Sequence, residues 1–341
     1  MRRKTLIQLV CVTASLVGLA WLLGRIGWTT VGSALQRVGW PALAVLMLLG
    51  WGESAADAAA LWVVMRQHLH LGFAVTVNAA GSMLNLILPW ESGEVLKGTL
   101  LRERMGTQPA ISGTIIWNYV FKISRPTLSM AAALCGWALC REIDRFHVGV
   151  ILAANALAFV PYFGLWLFVR YGAAKGFLRV VDLIPVLRRH PARWSEVARQ
   201  IDSEVKLFWH ERPAAYLKVF FLQVVARMTG WASYAVALRA LGAHYSFGQV
   251  ALAYAMLNVA EFVTAVLPAR VGVSEGSSFF IFQFLGLDPV LGVIMAVILR
   301  VRTIAANGVI APFAFLRWRP AGSGNVQPRD ADTQRREPES P

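Results

Sequence analysis

Carboxylate and guanidinium groups stand inside long apolar stretches of this sequence, and they are its clearest candidates for chemistry. In LNLILPWESGEVLKG, residues 84–98, a proline, two glutamates, a glycine and a lysine follow an apolar run. Arginine adds a planar fork of donors that holds phosphate or carboxylate oxygens at two places. The candidate ligand-binding residues are Asn85, Pro89, Glu91, Gly93, Glu94, Lys122, Arg125, Arg227, Glu261, Pro268, Arg270, Gly272, Glu275, Arg300 and Arg302, with Glu53 and Asp57 as secondary candidates.

The stretch around Pro89 indicates how an anion could be held. Proline is expected to break the incoming helix there, which leaves N–H groups without partners at the start of the next limb. Gly93 follows the break and permits close approach of another group. Because the N-terminus of a helix attracts negative charge, the stretch and the arginines together favour binding of an anion such as a phosphate.

Structural roles remain open for the same carboxylates. Glu91, Glu94 and Glu275 could each serve only as the cap of a half-helix. Glu53 and Asp57 are spaced i, i+4 and therefore share a helix face, where they could serve only to neutralise a buried cation. Pairing with arginine, contact with a cationic headgroup and proton transfer are further alternatives among which the sequence does not choose.

Composition places these charges in a membrane protein. Hydrophobic residues make up 57% of the 341 residues, charged residues 15%, and the mean hydropathy is +0.53, all far more apolar than a soluble domain of this length. The formal charge of +14 is spread over the ends of apolar stretches, so nucleic acid is not an expected partner. No phosphate loop, nucleophile elbow, metal-binding HExxH or dinucleotide motif occurs, so neither a cofactor nor a metal is expected.

Six apolar stretches are long enough to cross a hydrocarbon core of about 30 Å as helices. They are residues 5–23, 41–65, 109–140, 148–169, 214–241 and 289–316. Basic residues cluster in 170–213, which is therefore predicted to be a cytoplasmic amphipathic segment. Basic residues near both ends of the chain predict that both termini lie on the cytoplasmic side of the membrane, with 319–341 as a disordered tail. Lys97, Arg102 and Arg104 are expected at the cytoplasmic surface, as headgroup contacts or topology signals.

The number of membrane crossings before and after them determines on which side the two remaining stretches begin and end. Residues 72–108 must begin and end on the cytoplasmic side, so they are predicted to form a re-entrant hairpin of helix, break and helix. Residues 248–287 have the same plan but begin and end outside, so this hairpin is predicted to enter from the opposite face.

Corresponding residues recur in the two halves. The pairs are Pro89 with Pro268, Gly93 with Gly272, Glu94 with Glu275, Gly106 with Gly286, Pro109 with Pro289, and Lys122 with Arg302. The predicted fold is an all-α polytopic membrane protein, a single domain over 1–318 with about six transmembrane helices and two broken re-entrant hairpins. Repeat one covers about 5–140 and repeat two about 148–316, and the two are inverted, as in many secondary transporters.

These motifs resemble the membrane region of the lysylphosphatidylglycerol synthase family, also called flippase-like membrane proteins. The resemblance covers roughly residues 5–316 and rests on short motifs. The matching positions are Asn85, Pro89, Gly93, Glu94 and Lys97 in the first half, and Pro268, Gly272, Glu275, Gly286 and Arg300 in the second. Lys97 stands where many members have arginine, and the aspartate often found near the position of Arg125 is absent.

The resemblance implies lipid handling. The best-known members carry a soluble domain after the membrane region that transfers an amino acid from tRNA to a phospholipid headgroup. Because this sequence runs only about 25 residues past its last predicted helix, we expect the membrane domain alone and a non-enzymatic role. The expected function is that of a lipid flippase of the bacterial inner membrane, which binds a phosphate-bearing or otherwise polar-headed lipid between the two hairpins and moves it across the membrane.

Two alternatives belong to other classes. One is a membrane-embedded lipid-modifying transferase, in which a carboxylate acts as base. The other is an accessory subunit of an envelope lipid pathway, whose expected partner is a cytoplasmic lipid-synthesis enzyme docked on 170–213. Membrane lipid is the expected partner in every case.

Overall fold

The computed structural model describes residues 28–65, 69–87, 92–171, 203, 208, 212–264 and 272–316. Within these ranges the secondary structure is helical and contains no strand. The helices are α1 (Trp28–Met65), α2 (Leu71–Ile87), α3 (Ser92–Met105), α4 (Thr107–Leu139), α5 (Arg145–Tyr171), α6 (Pro213–Ala240), α7 (Phe247–Val263), α8 (Val273–Phe284), α9 (Pro289–Gly308) and α10 (Pro312–Leu316).

Helices occupy five of the six predicted spans. The span 5–23 lies outside the described residues, as do the tail 319–341 and most of 170–213.

Local sequence explains where several helices begin or bend. Pro213 and Pro289 stand in the first turns of α6 and α9, where a missing N–H costs nothing. Asp288 caps α9 by accepting a hydrogen bond from the N–H of Val290 at 2.9 Å. Gly39 adopts φ 66° and ψ 153° and kinks α1 just before Pro41.

Helices α2 and α3 form an antiparallel hairpin whose backbones approach through glycine. A methyl group at Gly93 would overlap the carbonyl oxygen of Gly81, and one at Gly81 would overlap the side chain of Lys97. Gly93 also lies against Asn85, so the contacts move forward along α3 as they move back along α2, and the two helices are antiparallel. The connection between them, residues 88–91, lies outside the described residues, as do Pro89 and Glu91. The connection between α7 and α8, residues 265–271, with Pro268 and Arg270, lies outside them as well.

Buried apolar side chains form two clusters. The α2–α3 core joins those helices to the second half of α1 and the first half of α4, and it includes Leu61 and Leu101. The α7–α8 core joins those helices to α5, to the second half of α4 and to the start of α9, and it includes Leu252 and Phe282. Each hairpin is thus anchored in a core of its own.

A polar layer separates the two cores along the long helices. On α1, for example, charged residues lie between Leu46 of the α7–α8 core and Leu61 of the α2–α3 core. Charged residues of α4 and α6, and of the stretch from α9 into α10, likewise lie between side chains of the two cores, so apolar side chains flank the charges on both sides. Five of the charged residues at these positions are called here the polar layer: Glu53, Asp57, Arg125, Arg227 and Arg302.

Helix packing brings the polar layer together. Helices α1 and α6 pack most extensively on each other, α4 packs on α7, and α9 packs on α1 and on α2. In the described part of the chain, the stretches Val38–Met65 and Pro289–Ala314 are both long enough and apolar enough to cross a membrane. Helices α4 and α6 have 33 and 28 residues, which suffices by length at about 1.5 Å per residue, but polar side chains lower their hydropathy.

Candidate functional site

Two cavities lie on either side of the polar layer. One, of about 190 Å³, adjoins the first hairpin and is called here the α2–α3 cavity. The other, of about 240 Å³, adjoins the second hairpin and is called the α7–α8 cavity. Each is large enough to hold several water molecules. Residues that line both cavities form the wall between them: Glu53, Arg125, Arg227, Arg302 and Thr303.

The centre of this wall is an ion-pair network between α1, α6 and α9. The Nη2 group of Arg227 donates to both carboxylate oxygens of Asp57, at 2.8 and 2.6 Å. The Nη1 group of Arg227 lies 3.6 Å from Oε1 of Glu53, and Nη2 of Arg302 pairs with Oε2 of the same glutamate. Both arginines are buried. Glu53 and Asp57 therefore do neutralise buried cations, and they also line the cavities.

Two further pairs lie beside the α7–α8 cavity. Arg125 of α4 pairs with Glu261 of α7. Arg300 of α9 contacts Glu275 of α8, with Nε 3.0 Å from Oε1. Glu275 also accepts the N–H of Gly272 at 2.8 Å, so it caps α8 and pairs with an arginine at once. Gly272 has φ 84°, a backbone conformation that glycine adopts readily.

The carboxylate of Glu94 lines the α2–α3 cavity and accepts hydrogen bonds from three side chains. The donors are Lys97 at 2.9 Å, Asn118 at 3.0 Å and Asn85 at 3.3 Å. The side-chain oxygen of Asn85 in turn accepts the N–H of Gly93 at 2.7 Å. Among the described contacts, the first turn of α3 is thus capped from α2 by an asparagine, and Glu94 bonds to side chains.

These contacts bear on two interpretations of the sequence. Gly93 does permit close approach of another group, but that group is the backbone of Gly81, and the N–H of Gly93 is taken by Asn85. Lys97 was expected at the cytoplasmic surface, but it is only 2% exposed and lines the α2–α3 cavity. The reason is that Glu94 and the ring of Trp117, whose centroid lies 4.0 Å from Nζ, hold the ammonium group inside.

The structure brings most of the described candidates into one region. Those that line at least one cavity are Glu53, Asp57, Asn85, Glu94, Arg125, Arg227, Glu261, Arg300 and Arg302. Glu275 is buried behind Arg300, and Gly93 and Gly272 act through the backbone. Lys122 lines neither cavity.

Uncharged polar residues complete the site and were missed from the sequence. Gln223 is fully buried on α6. With its amide oriented to suit its neighbours, it donates to Oδ1 of Asp57 at 3.0 Å and accepts from Trp117 at 3.2 Å. Further polar residues missed from the sequence line the cavities: Ser54, Asn78, Ser82, Trp117, Asn118, Tyr234, Tyr254, Asn258, Thr264, Ser274, Ser278, Thr303 and Asn307. Within the described ranges, no group of three or more His, Cys, Asp or Glu residues could hold a metal ion.

A spacing signal could have found several of them. On α2, the polar residues Asn78, Ser82 and Asn85 are spaced i, i+4, i+7, which places them on one helix face. On α7, Tyr254, Asn258 and Glu261 have the same spacing and line the other cavity. A narrow polar stripe on an otherwise apolar helix is the pattern of a wall that faces a polar space.

Comparison with known proteins identifies the family of this chain. The family model described as "Lysylphosphatidylglycerol synthase TM region" matches residues 6–311, nearly the whole chain. No curated protein and no solved structure matches the chain. The matched region includes the described helices α1 to α9, both cavities and the polar layer. The chain therefore belongs to the lysylphosphatidylglycerol synthase transmembrane-region family and is a membrane protein.

Proposed function

We propose that this protein is a lipid transporter of the bacterial inner membrane. In this proposal it binds a polar-headed, phosphate-bearing lipid in the polar layer and moves the headgroup across the membrane. The observation that carries the proposal is the pair of cavities, one beside each hairpin, divided by a wall of arginines and a glutamate. A headgroup needs such a wet, charged path, because unpaired charges are costly in hydrocarbon.

The exposure of side chains supports a polytopic arrangement, because large apolar side chains are exposed and polar ones are buried, the opposite of a soluble protein. On α6, Leu217 and Phe221 are 64% and 65% exposed. On the same helix, Gln223 is fully buried and Arg227 is only 8% exposed. Water would favour the opposite order, whereas a lipid environment accepts apolar side chains on the outside and leaves the polar ones to face each other.

An inverted repeat is supported by the placement of the hairpins. Both limbs of the α2–α3 hairpin have apolar residues in one core and polar residues, such as Asn85 and Glu94, at the polar layer. Both limbs of the α7–α8 hairpin start from the opposite core and bring residues such as Glu261 and Ser274 to the same layer. Two hairpins that reach one layer from opposite sides are what re-entrant inverted repeats require.

The proposed mechanism is alternating access around the arginine wall. The headgroup enters one cavity, its anionic group contacts arginines that line both cavities, and a movement of one half against the other opens the second cavity. The acyl chains stay in the surrounding lipid. The arginines can serve this role because each presents several donors in a fixed plane and stays charged.

The transferase alternative has no observation in its favour. A general base needs a carboxylate oxygen within reach of a substrate proton and with a suitable pKa. The described carboxylates around the cavities each contact a cation: Glu53, Asp57, Glu94, Glu261 and Glu275. The accessory-subunit alternative rests on 170–213, most of which lies outside the described residues.

The test is headgroup translocation in vesicles reconstituted with the full chain. Labelled lipids with phosphomonoester, phosphodiester and zwitterionic headgroups are placed in one leaflet, and their appearance in the other is followed by reduction or back-extraction. We expect at least one class to cross faster than in protein-free vesicles, and Arg227→Gln to lower that rate at least tenfold.

Arg239→Gln is the matched control, because Arg239 lies exposed in the last turn of the same helix. It should keep the rate of the unmodified protein. Rates equal to those of protein-free vesicles for all three lipid classes would contradict the proposal, and so would equal rates for the two arginine variants.

A further inference from the structure

Glu53 occupies the position that a ligand anion would occupy between two arginines. Its Oε2 pairs with Arg302 and its Oε1 lies 3.6 Å from Nη1 of Arg227. Of the four charged residues that line both cavities, Glu53 is the carboxylate and the other three are arginines. One side chain of this protein thus presents to the arginine wall the same chemistry, two anionic oxygens, that a phosphate would present.

Both arginines keep hydrogen-bonding capacity that Glu53 does not use. The Nε–H groups of Arg227 and Arg302 are buried and have no acceptor among the described residues. Leaving a buried donor without a partner is costly, so an acceptor with more oxygens than a carboxylate is favoured at this place. Phosphate has that property, and arginine binds it through two N–H groups at once.

Charge balance points to exchange rather than to simple addition of an anion. Five carboxylates meet five cations in and beside the described cavity walls: Glu53, Asp57, Glu94, Glu261 and Glu275 against Lys97, Arg125, Arg227, Arg300 and Arg302. An added phosphate would leave this set with excess negative charge in a region flanked by apolar cores. Moving the carboxylate of Glu53 away from its arginines and into the cavity space that it lines would separate the two anions and so weaken the repulsion between them.

Of the two carboxylates that contact Arg227, Glu53 is the better placed to move. Asp57 accepts two hydrogen bonds from Arg227 and one from Gln223, whereas Glu53 accepts one, from Arg302, and its contact with Arg227 is longer than a hydrogen bond. Its side chain is 25% exposed and lines both cavities. Gly230, which also lines the α7–α8 cavity, lies next to the Glu53 carboxylate: a methyl group there would be 3.7 Å from Oε1, so glycine leaves that space open.

We propose that Glu53 is a built-in competitor for a phosphate headgroup, which binds Arg227 and Arg302 by displacing the Glu53 carboxylate. The inference deepens the proposed function, on which it rests for the lipid nature of the ligand. The chemistry shared by all ligands of this site is a phosphomonoester or phosphodiester anion. Glu53 then sets how tightly the headgroup is held and allows its release.

The test measures binding to the full chain in detergent, with short-chain phosphatidic acid, short-chain phosphatidylglycerol, inorganic phosphate and uncharged short-chain diacylglycerol as probes. Glu53→Gln removes the competing charge and should tighten binding of the phosphate lipids about tenfold, the effect of one charge-assisted hydrogen bond. Arg302→Gln should weaken it by a similar factor. Binding of diacylglycerol should not change.

Glu261→Gln is the comparison that separates displacement from a general effect of charge. It removes one negative charge from the wall of the same region, but its carboxylate pairs with Arg125 alone among the described contacts. Equal tightening by the two variants would overturn the inference, as would no tightening by Glu53→Gln. Should Glu53→Gln fail to fold, Glu53→Asp retracts the carboxylate by one methylene from Arg302 and should tighten phosphate binding two- to threefold; an unchanged Kd overturns the inference.

Binding in detergent requires no transport, so the two proposals can fail separately. Tighter phosphate-lipid binding by Glu53→Gln with no translocation in vesicles would support the competitor and contradict the transporter. Translocation without any effect of Glu53→Gln on binding would do the reverse. Inorganic phosphate that binds as tightly as the phosphate lipids, and is tightened as much by Glu53→Gln, supports the competitor and assigns the phosphate group without the lipid as what the site recognises.

Discussion

The buried pair of Asp57 and Arg227 gives a direct test of whether the polar layer is an energetic unit. Their side chains are 13% and 9% exposed, and both carboxylate oxygens accept from one guanidinium nitrogen. The residues are 170 positions apart, so the pair ties α1 to α6. Removing either partner leaves a buried charge, which is far more costly than removing both.

The two single substitutions should destabilise the fold by different amounts. Arg227→Gln leaves the Asp57 carboxylate with Gln223 as its polar neighbour and should destabilise the fold by about 3 to 5 kcal/mol. Asp57→Asn should cost less, about 1.5 to 3 kcal/mol, because Glu53 stays 3.6 Å from the guanidinium group. The double variant replaces both charges with amides and should lose at least about 2 kcal/mol less than the sum of the singles.

Unfolding of the full chain by dodecyl sulfate, added to protein in neutral detergent micelles and followed by circular dichroism, measures all four proteins under one condition. Arg239→Gln serves again as the control and should stay within about 0.5 kcal/mol of the unmodified protein. A double variant that loses the full sum of the single losses would refute the argument, because the two groups would then contribute independently.

Two other substitutions test the hairpin and the membrane surface. Gly93→Ala should lower the unfolding free energy by about 1 to 3 kcal/mol, because the methyl group meets the backbone of Gly81. In the control Gly98→Ala, on the same helix, the methyl group meets only Thr114, at 3.9 Å, so this variant should be neutral or slightly stabilising. Equal losses of unfolding free energy in the two variants would contradict the close packing. Phe221→Arg, on the exposed face of α6, should raise the free energy of membrane insertion by about 2.5 to 3.5 kcal/mol in a translocon insertion assay, and an unchanged inserted fraction would mean that this face does not meet lipid.

The helices were largely predictable because hydropathy and helix formation coincide in most of this sequence. The apolar stretches 109–140 and 214–241 differ from α4 and α6 by one or two residues at each end. The start of α1 was missed, since Trp28–Val38 is too polar to register as a membrane span although its residues form helix. Hydropathy indicates which residues can lie inside a membrane. It does not indicate whether a helix continues past the apolar residues.

The site was predictable in its charged residues and unpredictable in their pairing. A charge inside an apolar stretch stands out in a sequence, and most of those singled out do line a cavity. Partners such as Glu53 and Arg302, 249 positions apart, meet only through the packing of α1 on α9. Lys97 was misplaced because position along the hairpin suggested the surface, whereas Glu94, three residues earlier, holds it inside.

The distribution of ion pairs between the proposed repeats bears on how such a protein could move. Asp57 and Glu53, from the first repeat, pair with Arg227 and Arg302 of the second. Arg125 of the first likewise pairs across the boundary with its partner on α7. Any movement of one repeat against the other must lengthen these bonds, and each buried charge then needs a new partner.

Two pairs behave differently, because both members belong to one repeat. Glu94 with Lys97 lies within the first, and Glu275 with Arg300 within the second. These pairs can travel with their hairpins unchanged, whereas the pairs that cross the boundary hold the two repeats together. A phosphate that takes over Arg227 and Arg302 from Glu53 would supply these arginines with an anion at the moment the pairs of Glu53 separate. In the proposed transporter the headgroup itself would thus lower part of the barrier to the movement that carries it, while the pairs of Asp57 with Arg227 and of Arg125 with Glu261 would still have to separate.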